Sequence, residues 1–441
     1  VFWTGLEQCL ESQIFTRVDD GLLHDLMSLL EQPTVNSQRL ITAILSALCL
    51  DPEFGRILED EAEEIAYGEV ARQLSAKPLF LKIMALSPID DLRVERMLTR
   101  LRRAMSEDEV VGEGLEFLVA LALQCFANEY VFQETDGEKE WVEELSRLAE
   151  KGKDIPPHLL AVLGAYRPLS SFPWAKKLDH ADHPAPIKEV IRRQITEPRM
   201  EQSLRAQIPQ LTLIENTVSQ SVRDQYEENP YPRWIRSGIL ENANAIGTVL
   251  GGAPLHLDLG GYVSPDNPEI LVAGCGTGRH ALIAATRFAG AKVLAVDLSL
   301  SSLSYAQRKT EEIKIPNLEY AQADIMELGS LERRFDLIES LGVLHHLGEP
   351  LEGWRILVDL LHPGGLIKIG LYSETARREI VEARAMIADE GYKATADDMR
   401  RCRQEIIAKA ESGDQAMGKI CNISAFFSLS ECRDLLFHVQ E

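Results

Sequence analysis

Three glycines at alternate positions, Gly274, Gly276 and Gly278, follow directly on the apolar run EILVA, and an acid, Asp297, closes the next apolar run, KVLAVD. Glycines in that alternation let the backbone turn sharply and approach a ligand with no Cβ in the way, while a helix starting near Arg279 points its free N–H groups at the same spot. A carboxylate at the tip of the second run suits the two hydroxyls of a ribose. The spacing is 297 − 278 = 19 residues, enough for one crossover helix plus a strand. A dinucleotide fingerprint would put its third glycine at position 279, which is Arg279, so GxGxG holds and GxGxxG fails. The chemistry indicated is the holding of a small adenosine-containing cofactor. A glycine loop alone also suits an ordinary strand-to-helix turn in another α/β protein.

Such a loop needs a sheet to position it, and the sequence supplies the parts. A helix (SLSYAQRKTEEIK) leads to a third strand, NLEYAQAD, ending at Asp324. FDLIESLGVLHHL gives a fourth strand over residues 335–340, and LHPGGLIKIGLY a turn and a fifth. Short apolar runs alternating with helices predict a parallel, doubly wound sheet, whose ligands sit beyond the carboxyl ends of the strands. Gly274, Asp297, Asp324 and Ser340 all fall at those ends. Asp324 is equally placed to cap a helix on IMEL, and the two roles are compatible. Cys275, inside the loop, reads as a small space-filling residue rather than a nucleophile.

Before the sheet, apolar residues recur at helical spacing in GLLHDLMSLL, RLITAILSALCL, RVERMLTRLRRAM and GLEFLVALALQCFANEYVF, with polar breaks such as Glu31-Gln32-Pro33 and Ser106-Glu107-Asp108. No tetratricopeptide consensus emerges. The expected organisation is an all-α domain over 1–165, a connecting region over 166–235, an α/β cofactor-binding domain over 236–375, and a helical C-terminal segment over 376–441. The connecting region is rich in proline. Within it Asp179, His180, Asp182 and His183 imitate a metal site, but their spacing suits a polar turn better, and no metal is expected.

The connecting region ends in QYEENPYPRW, residues 225–234. Two prolines, three aromatics and an arginine so close together are incompatible with a regular helix and suit a loop folded over a pocket. Tyr226, Asn229, Tyr231, Arg233 and Trp234 are therefore candidates for a lid or for substrate contact. The alternative is an aromatic staple joining the helical half to the sheet. After the fourth strand, His345 and His346 are placed to face a reacting group, where histidine is the usual general base. Tyr372, Ser373, Glu374 and Arg377 follow the fifth strand as further candidates.

At 441 residues and 45% hydrophobic content the chain has ample material for more than one core. Its net charge is 46 − 69 = −23, with a dense acidic stretch over residues 51–69. That balance disfavours nucleic acid and favours basic partners, lysine-rich protein among them, although most charge runs are solvated helix faces. The longest apolar stretch, LITAILSALCL, is far short of the roughly 20 residues of a membrane span. Seven scattered cysteines fit free thiols in a reducing compartment, and a cytoplasmic location is expected. A chain opening on Val1 reads as a possible fragment.

Taken together, residues 269–372 resemble the class I S-adenosylmethionine-dependent methyltransferases, in the variants reading AGCGTG, VDLS, QADI, LGVLHHL and LxPGG. The resemblance implies a Rossmann-like α/β sheet. It implies that Gly274, Cys275, Gly276 and Gly278 lie against the methionine part of the cofactor. Asp297, with Leu298 beside it, would bind the ribose, and Asp324 would meet the adenine amino group with Ile325 beside the ring. Ser340 completes the set at the fourth strand tip. QYEENPYPRW, QCFANEYVFQETDGE, GLYSETARR and FFSLSECRDLLFHVQE also look like a bacterial group that couples a helical N-terminal region to such a module. That group includes the rickettsial-type protein-lysine methyltransferases. It implies lysine N-methylation of a protein substrate, with S-adenosylhomocysteine as product, and a helical region serving dimerisation, as a homodimer, or substrate presentation. Tyr231, His345 and His346 would then be the catalytic candidates. Two features depart from that group: the chain lacks a lysine- and asparagine-heavy bias, and it ends before the antiparallel strand pair that normally completes a class I sheet. A small-molecule methyltransferase of quinone or natural-product type is the alternative reading, and a non-catalytic cofactor-binding module a third.

Overall fold

The computed structural model describes residues 2–60, 66–106, 114–152, 154–180, 183–236, 238, 242–252 and 256–438. Parts of three sequence features lie outside them: residues 61–65 of the acidic stretch, the break at 107–108, and part of the Asp179 to His183 run. The described residues form two compact units. One comprises Met200–Arg378 with His438, the other Phe2–Arg199 with Glu379–Phe437. No helix among the described residues is long and apolar enough to cross a membrane.

The first unit is built on five strands: β1 (Glu269–Ala273), β2 (Lys292–Asp297), β3 (Leu318–Gln322), β4 (Phe335–Leu341) and β5 (Leu361–Gly370). All neighbours pair in parallel, in the order β3-β2-β1-β4-β5. The strands read as near-continuous apolar runs because both faces are covered. Side chains alternate between those faces. Ile270 and Val272 join a core with Phe288 and Tyr305, while Leu271 and Ala273 join the opposite core with Phe335 and Leu357. The helices Arg279–Arg287, Leu300–Ile313 and Pro350–Asp359 make the crossovers. The chain winds outward from β1 through β2 to β3, then returns to place β4 on the other side of β1. This reversal leaves a crevice at the carboxyl ends of β1 and β4, where ligands of open parallel sheets bind. β5 is one edge of the sheet, and its side chains are half-buried or exposed.

QYEENPYPRW divides in a way its composition conceals. Residues 225–228 are the last turn of the helix Thr217–Glu228, and only the part from Asn229 onward is loop. Pro230 and Pro232, which offer no N–H, end the helix there.

The second unit is all-α. The helix Leu115–Ala127 is buried from Phe117 to Ala127, which explains an apolar run without a polar face. The sequence boundaries fall at 165/166, 235/236 and 375/376, whereas the compact units divide at 199/200 and 378/379, with the helices Ala396–Glu411 and Leu429–Leu436 belonging with the N-terminal ones. The link is specific: the fully buried Arg403 donates to Glu95 at 2.9 and 2.8 Å and to the Phe426 carbonyl at 2.8 Å. A pair 308 residues apart leaves no local trace in sequence.

Candidate functional site

The glycine loop is fixed first by its own backbone. Gly274 and Cys275 N–H both donate to the Val296 carbonyl, at 2.9 and 3.0 Å, tying the loop to the end of β2. Gly274 has φ +77°, and a Cβ there would lie 2.4 Å from Val343 Cγ2. Gly276 has φ +52°, and its Cβ would lie 2.4 Å from the Tyr231 carbonyl oxygen. Both positions therefore require glycine for handedness and for space.

The second contact at Gly276 shows what the loop supports. Thr277 N–H donates to the Tyr231 carbonyl at 3.2 Å, Thr277 Oγ1 donates to the Pro232 carbonyl, and Trp234 Nε1 donates to the Thr277 carbonyl at 3.1 Å. The NPYPRW segment is thus clamped onto the glycine loop. Tyr226 and Tyr231 stack with ring centroids 6.2 Å apart and form part of a cavity wall. Arg233 and Trp234 turn the other way: Trp234 is buried in the core edge-to-face with Tyr305, and Arg233 lies over the same ring. Asn229 ends the helix, donating its N–H to the Gln225 carbonyl at 3.0 Å, and is not part of the wall. Successive residues of one segment therefore face opposite ways, Tyr226 and Tyr231 toward the cavity and Trp234 into the core of the sheet unit.

The cavity has a volume of about 360 Å³, within the roughly 300–1,000 Å³ usual for small-molecule sites. Gly274, Cys275, Gly276, Asp297, Leu298, Asp324, Ile325, Tyr226, Tyr231, His346 and Tyr372 line it. Gly278, His345 and Ser340 do not. A Cβ at Gly278 would meet Ala306 and Tyr320 behind the loop, and Ser340 is buried in the sheet while its successors Leu341 and Gly342 reach the wall.

Asp297 accepts from Gly276 N–H at 2.8 Å and from Ser299 N–H at 3.0 Å, so the loop and the carboxylate hold each other in place. Burial pushes its carboxyl above the ordinary range; the backbone N–H donors oppose that shift and the charge of Glu227 adds to it. Burial likewise pushes the Cys275 thiol up, away from nucleophilic character. The two oxygens of Asp324 differ. Its Oδ1 accepts from Met326 N–H at 3.0 Å as a helix cap, while Oδ2 is buried with no hydrogen-bond partner among the described residues. An orphaned carboxylate oxygen in a cavity wall is an acceptor awaiting a donor.

Beyond β4 the cavity is aromatic. His345 lies 4.1 Å from Tyr372 and 4.0 Å from His346, centroid to centroid. Arg377 sits 3.6 Å over the Tyr372 ring. His346 stacks on His438 at 3.7 Å and 12°, and His438 Nε2 is 3.1 Å from the Tyr226 hydroxyl. No local pattern marks His438 as a site residue, since it lies 92 residues (438 − 346) beyond its stacking partner. Arg279 and His280, also in the wall, were readable only as the start of a helix. Their signal was position: the first turn after a glycine loop faces whatever the loop faces.

The fold is a Rossmann-like parallel α/β sheet with a glycine-loop crevice at the carboxyl ends of its strands. Residues 270–365 match the family described as a methyltransferase domain. Over 122 residues the chain is 35% identical to an uncharacterized protein of Synechococcus, covering 27% of this chain and 29% of that one. It is 30% identical to a ubiquinone biosynthesis O-methyltransferase of Albidiferax ferrireducens, over 26% of this chain and 45% of that one. It is 34% identical to a trans-aconitate 2-methyltransferase of Deinococcus radiodurans, over 24% and 39%. The chain thus spans less than half the length of each of these relatives. Among solved structures, PKMT2 from Rickettsia typhi in complex with AdoHcy is 22% identical over 33% of this chain and 29% of that one, with a TM-score of 0.30.

Proposed function

We propose that this protein transfers a methyl group from S-adenosylmethionine to the side-chain amine of lysine in a protein substrate. The observation that carries the cofactor half is the cavity itself. Its floor is a glycine loop where a Cβ cannot fit, and its two acids, Asp297 and Asp324, stand at adjacent strand tips. In this reading Asp297 accepts from ribose hydroxyls and Asp324 Oδ2 from an amino group on the base. S-adenosylmethionine, when bound, supplies a methyl group on a positively charged sulfur, an electrophile that needs no further activation.

What remains for the protein is positioning and proton management. A lysine amine has an ordinary pKa of roughly 10.4 and attacks only after losing its proton. Tyr226, Tyr231, Tyr372 and His346 offer a wall of ring faces that attract an ammonium group on an apolar stem. Leu341, Val343 and Leu347 beside them keep water out, which favours the neutral amine. His346 takes the released proton. The net charge of −23 favours approach of a basic polypeptide.

A small-molecule acceptor is the second reading, favoured by the quinone and aconitate enzymes among the 30–34% identical relatives. Those matches cover the cofactor-binding part, which serves any acceptor. Incubation with methyl-labelled S-adenosylmethionine and a cell lysate separates the two. Label on lysine Nε in the protein fraction supports the proposal; label confined to lipid or metabolite fractions supports the second reading and overturns the first.

A further inference from the structure

His438 is the one described residue beyond Arg378 that belongs to the sheet unit: the chain leaves that unit at Glu379 and returns at His438. It does not line the cavity, yet it touches two residues that do. Its ring lies on that of His346 at 3.7 Å and 12°, and its Nε2 is 3.1 Å from the Tyr226 hydroxyl.

Those two residues come from separate places. Tyr226 is in the last turn of the helix Thr217–Glu228, ahead of the sheet, while His346 ends a short turn of helix, Leu344–His346, after β4. Each continues into an aromatic wall of its own. Tyr226 stacks on Tyr231 at 6.2 Å; His346 meets His345 edge-on at 4.0 Å and Tyr372 at 6.3 Å. His438 therefore spans the two walls from behind, joined to one by a ring nitrogen and to the other by a ring face.

The two contacts fix different things. Stacking restrains the plane of the His346 ring, and the hydrogen bond restrains the direction of the Tyr226 hydroxyl. That bond survives either neutral tautomer of His438: the hydroxyl donates when the ring proton is on Nδ1 and accepts when it is on Nε2. Support of this kind matters where a reacting group must be held, since a displacement of about 1 Å can cost roughly 100-fold in rate.

We propose that His438 is a positioning residue for the methyl acceptor. Acting through His346 and Tyr226, it sets the imidazole that takes the amine's proton and the phenol ring that faces the ammonium. This rests on the lysine reading of the cavity and adds to it the residue that holds the two acceptor walls in register.

Three substitutions separate the two contacts. His438→Phe keeps a flat ring on His346 and loses the hydrogen bond to Tyr226. His438→Gln keeps a polar group to reach that hydroxyl and loses the ring, and His438→Ala loses both. The readouts are the rate of methyl transfer from labelled S-adenosylmethionine to the protein fraction of a cell lysate, and calorimetric binding of S-adenosylhomocysteine. His438→Ala is expected to lower kcat roughly 10- to 100-fold, and His438→Phe and His438→Gln each by less. KM for S-adenosylmethionine and affinity for S-adenosylhomocysteine should stay as in wild type. His438→Phe combined with Tyr226→Phe removes both ends of one hydrogen bond, so the double variant should be no slower than the slower of the two single variants. Loss of S-adenosylhomocysteine affinity in step with the rate, or a wild-type rate in His438→Ala, overturns the assignment while the lysine reading stands. Wild-type protein that labels only lipid or metabolite fractions overturns that reading and this assignment with it.

Discussion

Asp297 meets two opposing demands. In the proposed role it is a carboxylate that accepts from ribose, yet burial favours its protonated form and raises its pKa above the ordinary 3.8. Because the folded value is raised, the folded protein holds an extra proton between about 3.8 and that raised value. Stability from this group is therefore gained as pH falls through that window, and at higher pH its ionisation opposes folding by a constant amount. Cofactor affinity runs the other way, falling as the carboxylate is protonated. Asp297→Asn should accordingly unfold at the same temperature as wild type or higher at pH 7, and lose roughly 10- to 100-fold in S-adenosylhomocysteine affinity. Calorimetry and thermal denaturation check the two halves separately, and a variant that binds normally would count against the ribose role.

At the scale of elements, the glycine loop and the NPYPRW segment form one device, joined where the Tyr231 carbonyl meets Gly276 and Thr277. Gly260 shares the φ of +52° but has open space where a Cβ would stand. Gly260→Ala should cost about 1–2 kcal/mol, the handedness penalty alone. Gly276→Ala should cost more and abolish cofactor binding, because Tyr231 must move. Urea denaturation of the pair measures the difference; equal losses would show that the Tyr231 contact is not what constrains the loop. The strands of this element were legible because a parallel sheet covered on both faces writes itself as separate apolar runs with glycine or an acid at each tip. KVLAVD became β2 without adjustment, while NLEYAQAD yielded a strand two residues shorter at its carboxyl end. The division within QYEENPYPRW was not legible. Its aromatic residues are alike in composition, and only the three-dimensional position of the Leu300–Ile313 helix decides that Trp234 packs inward while Tyr231 faces the cavity.

At the scale of the whole molecule, the helical unit joins sequence ends through buried charge. Arg403 and Glu95 satisfy each other in the buried interior, so removing one strands the other. Arg403→Ala should destabilise by about 3–5 kcal/mol and leave S-adenosylhomocysteine affinity unchanged, as denaturation and calorimetry would show. Long-range pairs of this kind, like the stacking of His438 on His346, have no periodicity or motif to announce them. The charge balance, by contrast, is a property of composition and was available from the start, as was the argument against a nicotinamide dinucleotide from Arg279. The central claim is that the crevice between β1 and β4 holds S-adenosylmethionine. Titration of the purified chain with S-adenosylhomocysteine and, separately, with NAD tests it most directly. Saturable one-to-one binding of the first, abolished by Gly276→Ala, with none of the second, is the predicted result; preference for NAD, or no binding of S-adenosylhomocysteine, would contradict it.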